Sequence, residues 1–214
     1  SLTLGGGEVK MTDLAVAYST LANLGMRTDL HPILEVKNYK GEVLEKNHNP
    51  KSQRVLSPQI AYLLTDILSD NQARTPAFGS NSVLNLPQHP HVAVKTGTTQ
   101  NLRDNWTIGY TQDYLVAVWV GNNDNSPMSY VASGITGASP IWNEIMTYLL
   151  KDEEDQPFTK PEELREVEIC PLTGDLPCNG CGGKKELFLP RTEPKTHCNP
   201  ETIEKLKKNS QNPK

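Results

Sequence analysis

Between His91 and Val120 the chain runs through three strand-like segments separated by short polar turns. Turns this short join antiparallel neighbours, because a parallel connection needs a crossover of a dozen or more residues. This part of the chain is therefore expected to fold as an antiparallel meander. In the first strand Val92, Val94, Thr96 and Thr98 share one face by the period of two, and Lys95 and Gly97 take the other. After a polar turn over 100–105, Trp106, Ile108 and Tyr110 alternate in the second strand. Gln112-Asp113 makes a hairpin turn into Tyr114–Val120, which is apolar throughout, as a strand covered on both faces would be. A glycine inside a strand weakens it and marks close approach by a ligand or another backbone. Lys95-Thr96-Gly97-Thr98-Thr99 thus sets a cation, hydroxyls and a bare stretch of backbone side by side. Those groups suit an extended peptide and its carboxylate.

Helical patterns flank the meander. Thr12 is expected to cap a first helix with Asp13 in its first turn; Leu14, Ala17, Tyr18, Leu21 and Ala22 form its apolar face, and Gly25 ends it. Ser57-Pro58 opens a second helix whose core face is Ile60, Leu63, Leu64, Ile67 and Leu68. Ser139-Pro140 repeats that opening for a third, with Ile141, Trp142, Ile145, Met146, Leu149 and Leu150 on one side. Weak alternation on either side of Asn38–Gly41 predicts two short strands and a turn. Residues 47–54 and 73–90 read as loops, the second delivering the chain to the Lys-Thr-Gly strand. Together these elements imply an α+β fold, an antiparallel sheet flanked by helices.

Several tempting motifs fall away on spacing. The glycine-rich start, Leu4-Gly5-Gly6-Gly7-Glu8, is a loop without the Lys and Ser/Thr that a phosphate cradle requires. His89 and His91 have no third ligand in sight. The acidic-amide run Asn122–Asn125 lacks the spacing and closing Glu of an EF-hand and reads as a capped turn. Ser69-Asp70-Asn71 ends a well-patterned helix and reads as helix-terminal polar residues. A net charge of −4 and a pI near 5.7 argue against a nucleic-acid surface. No apolar run reaches the roughly 18 residues a membrane span needs.

The four cysteines, Cys170, Cys178, Cys181 and Cys198, all lie beyond the charged, proline-punctuated stretch 151–168, which reads as a linker. Four thiols with a C-x-x-C could hold zinc, with His197 as a further ligand, or could form two disulfides in one of three pairings. A small polar module needs such staples. The expected organisation is a body over 1–150, the linker over 151–168, a cysteine module over 169–198 and a disordered end over 199–214.

The runs Ile67–Asn71, Ala93–Thr99, Asp104–Tyr110, Val118–Gly121 and Gly137–Trp142, together with the opening Leu4-Gly5-Gly6 loop and its helix, resemble class A penicillin-binding proteins. The likeness covers about 2–150 and continues into Cys170-Pro171-Leu172-Thr173-Gly174. It implies a serine D,D-transpeptidase that cross-links peptidoglycan stem peptides and is acylated by β-lactams, with neither cofactor nor metal. Lys95, Thr96, Gly97 and Thr98 are then the catalytic set. Lys95 stabilises the substrate carboxylate and a proton-shuttling serine; Thr96, Thr98 and Thr99 bind substrate; the Thr98 N–H is one of two oxyanion donors. The family's Ser-x-x-Lys nucleophile motif and true Ser-x-Asn motif are not in this sequence, so it looks like the C-terminal part of the domain. The resemblance implies a location on the extracytoplasmic face of a bacterial cell membrane, held through an upstream anchor. That setting favours disulfides over zinc in the cysteine module. A related D,D-carboxypeptidase or β-lactamase, and a non-catalytic peptide-binding or scaffold module, are the alternatives.

Overall fold

The computed structural model describes residues 7–47, 51–128 and 135–211. In chain order the elements are α1 (Met11–Ala22), β1 (Met26–Thr28), β2 (Glu35–Lys37), β3 (Val43–Lys46), β4 (Ser52–Arg54), α2 (Pro58–Ser69), α3 (Asn71–Phe78), β5 (Ala93–Thr98), β6 (Asp104–Tyr110), β7 (Leu115–Gly121), α4 (Ala138–Leu150), β8 (Arg165–Ile169), β9 (Lys184–Phe188) and α5 (Pro200–Gln211). They divide into two units, 1–159 and 160–214. The class is α+β with small antiparallel sheets. Most of the expected opening loop, 4–6, lies outside the described residues.

The meander forms as its alternation requires. β5, β6 and β7 make a three-stranded antiparallel sheet in that order, with Val94 opposite Gly109 and Gly109 opposite Val116. One face is covered by α4, whose Trp142, Met146 and Leu150 recur every four residues and pack with Val92, Val94, Val116 and Val118. Gly109 is glycine for a steric reason: a Cβ there would lie 2.4 Å from the Trp142 ring. On the other face Tyr110 is fully buried between helices, meeting the Tyr18 ring of α1 edge-on and hydrogen-bonding the Thr65 hydroxyl of α2 at 2.9 Å. β5 is covered on both sides at its start, where Val92, Ala93 and Val94 are all buried, and opens to solvent from Lys95 onward.

Helix boundaries show which local signals won. Ser57 caps α2 as expected, accepting the Ile60 N–H. Thr12 does not cap α1: the helix begins at Met11, Lys10 holds the cap position, and no side chain accepts a bond there. Ser139 does not cap α4 either. That helix starts one residue earlier, and the Ser139 hydroxyl is fully buried against the Thr107 hydroxyl at 2.8 Å, cross-linking α4 to the sheet. The loop read over 73–90 begins as helix α3. Asp70 caps it by accepting the Ala73 N–H, and Pro76 removes only one rung of two turns. Residues 52–54, read as loop, form β4 and pair with β1, although every one of the three is exposed.

The face of α2 assigned to the core is largely outside it. Ala61 and Thr65 are the buried positions, whereas Ile60, Leu64 and Ile67 are 40–67% exposed. Sequence periodicity marks an apolar stripe but not which partner covers it.

The stretch 151–168 is not one linker. Residues up to 159 stay with the first unit: Asp155 accepts from the His91 backbone N–H and pairs with its ring, Gln112 donates to the Pro157 carbonyl, and Phe158 stacks edge-on to Tyr110. In the second unit β8 pairs with β9. Disulfides Cys170–Cys181 and Cys178–Cys198 interlock, so neither closes the C-x-x-C on itself. The end expected to be disordered is helix α5, anchored by Ile203, which is 1% exposed against Cys170 and Cys198. Two apolar residues, Ile203 and the half-exposed Leu206, in a polar run are too few to register as a pattern. They suffice where the half-cystines supply the rest of the surface. Among the described residues no helix is long and apolar enough to cross a membrane.

Candidate active site

Lys95, Thr96, Gly97 and Thr98 all lie on β5, an edge strand whose outer side no other described strand covers. The ladder fixes which way each backbone group points. The Thr99 N–H donates to the Asp104 carbonyl at 3.1 Å, toward β6. In an antiparallel pair successive residues alternate between facing the partner and facing away. Lys95 and Gly97 therefore direct their N–H groups to β6, and Thr96 and Thr98 direct theirs to the outer edge.

Side chains follow the complementary alternation. Lys95 is exposed on the face opposite α4, its ammonium donating to the Thr96 carbonyl at 2.5 Å. Thr96 is half-buried and Thr98 exposed at the strand end, on the α4 face. Gly97 sits opposite Trp106, where a Cβ would make only ordinary contact, at 3.5 Å. The glycine is thus not forced by its neighbours in the sheet. A ligand lying along the edge could reach side chains from both faces and two outward N–H groups.

The Thr99 side chain turns toward the sheet. Its hydroxyl is committed inward: it donates to Asp104 Oδ2 at 3.1 Å and accepts the Asp104 N–H at 2.9 Å. The second Asp104 oxygen accepts the Trp119 indole N–H at 2.7 Å. Sequence reasoning singled out neither Asp104 nor Trp119 for this, since their partners are 5 and 15 residues away.

Ser69, the helix-terminal serine, donates to the Asp66 carbonyl in its own helix, and Asp70 is the α3 cap. Neither belongs to the β5 group. Asn122–Ser126 is a capped turn in which Asp124 accepts the Ser126 N–H at 3.0 Å; a hydrogen bond from the Ser126 side chain first, and this backbone bond second, hold the Asp124 carboxyl below its usual range. A shallow hollow lined by His89, His91, Tyr114 and Asp155 touches none of Lys95–Thr99.

A Lys-Thr-Gly sequence on a strand is one of the three motifs of the penicillin-recognising class of serine acyl-enzymes. Residues 1–147 match the family described as penicillin binding protein transpeptidase domain, and residues 160–202 match that described as Penicillin-binding protein 1A, C-terminal domain. The chain belongs to the class A penicillin-binding proteins. It is 31% identical over 198 residues to Penicillin-binding protein 1A of Aquifex aeolicus, a match that takes in 92% of this chain and 26% of that protein. The crystal structure of Penicillin-Binding Protein 1A from Haemophilus influenzae superposes with a TM-score of 0.81 at 24% identity, covering 92% of this chain and 34% of that one. The structure of the penicillin-binding protein PonA1 from Mycobacterium tuberculosis gives 0.64 at 29% identity, over 76% and 44%. The chain spans about a quarter of the length of the curated relatives it matches.

Proposed function

We propose that this chain supplies the Lys-Thr-Gly side of a peptidoglycan D,D-transpeptidase, with the serine nucleophile carried by residues outside it. The observation that supports this most is the outward direction of the Thr96 and Thr98 N–H groups on an edge strand beside an exposed Lys95. A stem peptide or a β-lactam would lie along that edge, its carboxylate held by Lys95 and the Thr96 and Thr98 hydroxyls. The Thr98 N–H would stabilise the oxyanion that develops when the serine attacks. Losing one such donor typically costs about 10²–10³ in rate. The sequence has no Ser-x-x-Lys in which a serine could be activated by an adjacent base. Two disulfides in the second unit support an oxidising, extracytoplasmic setting.

The test is covalent labelling with a fluorescent penicillin. The full-length polypeptide is expected to label stoichiometrically on one serine outside residues 1–214, and residues 1–214 alone not to label. Lys95→Ala in the full-length polypeptide should slow acylation at least 100-fold, in the range seen for loss of a positioned charge stabiliser. A penicilloyl adduct mapped to any serine of residues 1–214 would overturn the assignment.

A further inference from the structure

The end of β5 is pinned across the whole sheet by one carboxylate. Asp104 opens β6 and stands opposite Gly121 at the end of β7. Its Oδ2 accepts from the Thr99 hydroxyl, its Oδ1 accepts from the Trp119 indole, and its own N–H donates back to Thr99. Three strands therefore meet at this side chain. Gly121 leaves room for the arrangement: a Cβ there would lie 2.6 Å from the Trp119 ring, 2.8 Å from the Arg103 carbonyl and 3.1 Å from Asp104 Oδ1.

The turn that Asp104 closes is under strain. Asn101 and Leu102 both have left-handed backbones, with φ of 62° and 54°. Asparagine tolerates that region; for leucine it persists only where surrounding bonds over-determine it. Those bonds converge on Thr99 and its neighbours. The Leu102 N–H donates to the Thr99 carbonyl, Arg103 donates to the Asn125 carbonyl at 2.8 Å, and Thr99 itself is clamped by Asp104. The ladder rung at Thr99 sets the plane of the peptide that follows Thr98. Loosening it frees the adjacent residue to rotate at the open end of the strand.

We propose that Asp104 is a positioning residue for the transpeptidase reaction: through Thr99 and Trp119 it holds the end of β5, and with it the Thr98 N–H, aimed at the outer edge. The inference rests on the function proposed for β5, and it gives Thr99 the part of a clamp member rather than a substrate ligand. Asp104 touches no reacting atom in this scheme. Its loss should therefore act on the transition state, where an oxyanion donor must be in place, more than on ground-state binding of the β-lactam.

The test uses the full-length polypeptide and stopped-flow acylation by a chromogenic cephalosporin, which separates the dissociation constant from the limiting acylation rate. Asp104→Ala is expected to lower the limiting rate 10- to 100-fold, while the dissociation constant moves less than threefold. Trp119→Phe keeps most of the ring volume and removes only the indole N–H, so a smaller rate loss in the same direction is expected. Asp104→Asn retains an acceptor for the indole and should recover part of the rate lost in Asp104→Ala. A thermal melt run beside each variant isolates a merely structural role. A lowered melting temperature with an unchanged acylation rate would overturn the proposal, as would equal loss in rate and affinity. Should Asp104→Ala fail to fold, Trp119→Phe and Asp104→Asn decide, because an unchanged limiting rate in both is incompatible with the clamp. A wild-type polypeptide that is not acylated at all removes the function proposed for β5, and this inference with it.

Discussion

The first unit contains no cysteine and buries Trp142, Tyr110 and Met146 whole, around a sheet whose residues fit one another by shape. The second, about 55 residues, has Leu164 and Ile203 as its buried apolar side chains among the described residues, beside Cys170 and Cys198. A segment so small and polar buries too little apolar surface to offset the entropy of ordering its chain. Two interlocked disulfides close the gap by restricting the unfolded state. The first unit should thus respond to side-chain volume and be indifferent to redox conditions, and the second should behave the other way round.

The largest effect expected is from reduction. Loops of this size are stabilised by about 3 kcal/mol per disulfide, and the second unit has little else. A dithiol should unfold 160–211 and leave the first unit intact. Hydrogen exchange resolved by peptide checks this: amides of β8, β9 and α5 should lose protection while those of β5–β7 keep it. Retained protection in the second unit after complete reduction would show that the core around Ile203 suffices alone.

Next in size is Trp142→Ala, which empties the space beneath Gly109 and should cost about 3–5 kcal/mol. Denaturant unfolding followed at the first unit's tryptophans measures it, with protection of the second unit unchanged. If both units lose stability together, they are one cooperative block and the contrast drawn above fails.

A smaller effect separates the units by pH. Burial pushes the Tyr110 hydroxyl up to about 12, against the hydrogen bond from Thr65, which lowers it. The folded state then holds this proton where the unfolded chain has released it, so stability is unaffected below about pH 10 and falls between about 10 and 12. The whole effect is at most about 2–3 kcal/mol. Burial raises Tyr18 in the same direction. Urea midpoints at pH 9 and 11 should diverge for the wild type and diverge less in Tyr110→Phe, where Tyr18 still contributes; an equal fall in both would place the alkaline sensitivity elsewhere.

What the sequence disclosed, and what it withheld, divides along a physical line. The meander was legible because period-two alternation and short turns are local, and Lys95–Thr98 was legible as a motif. Ser57 could be read as a cap for the same reason. The sequence hid whatever depends on a distant partner. Ser139 looks like a second cap, yet Thr107 claims its hydroxyl. Ile60, Leu64 and Ile67 look like core, yet the buried side of α2 carries Ala61 and Thr65. Helix α5 has one apolar anchor in a polar run. Asp104 has no motif of its own, because its meaning lies in Thr99 and Trp119.

The open side of β5 also bears on how the chain keeps apart from its own copies. An edge strand with outward N–H and C=O groups is a template for any other extended chain, including an identical one. In the register that sets Lys95 of one copy against Lys95 of another, like charges stand opposite each other and disfavour that pairing. In the function proposed for β5, the same charge that would take a carboxylate also disfavours pairing with a second β5. Natural sheets guard their edges with lysine for this reason, and here the guard stands at the doorway itself.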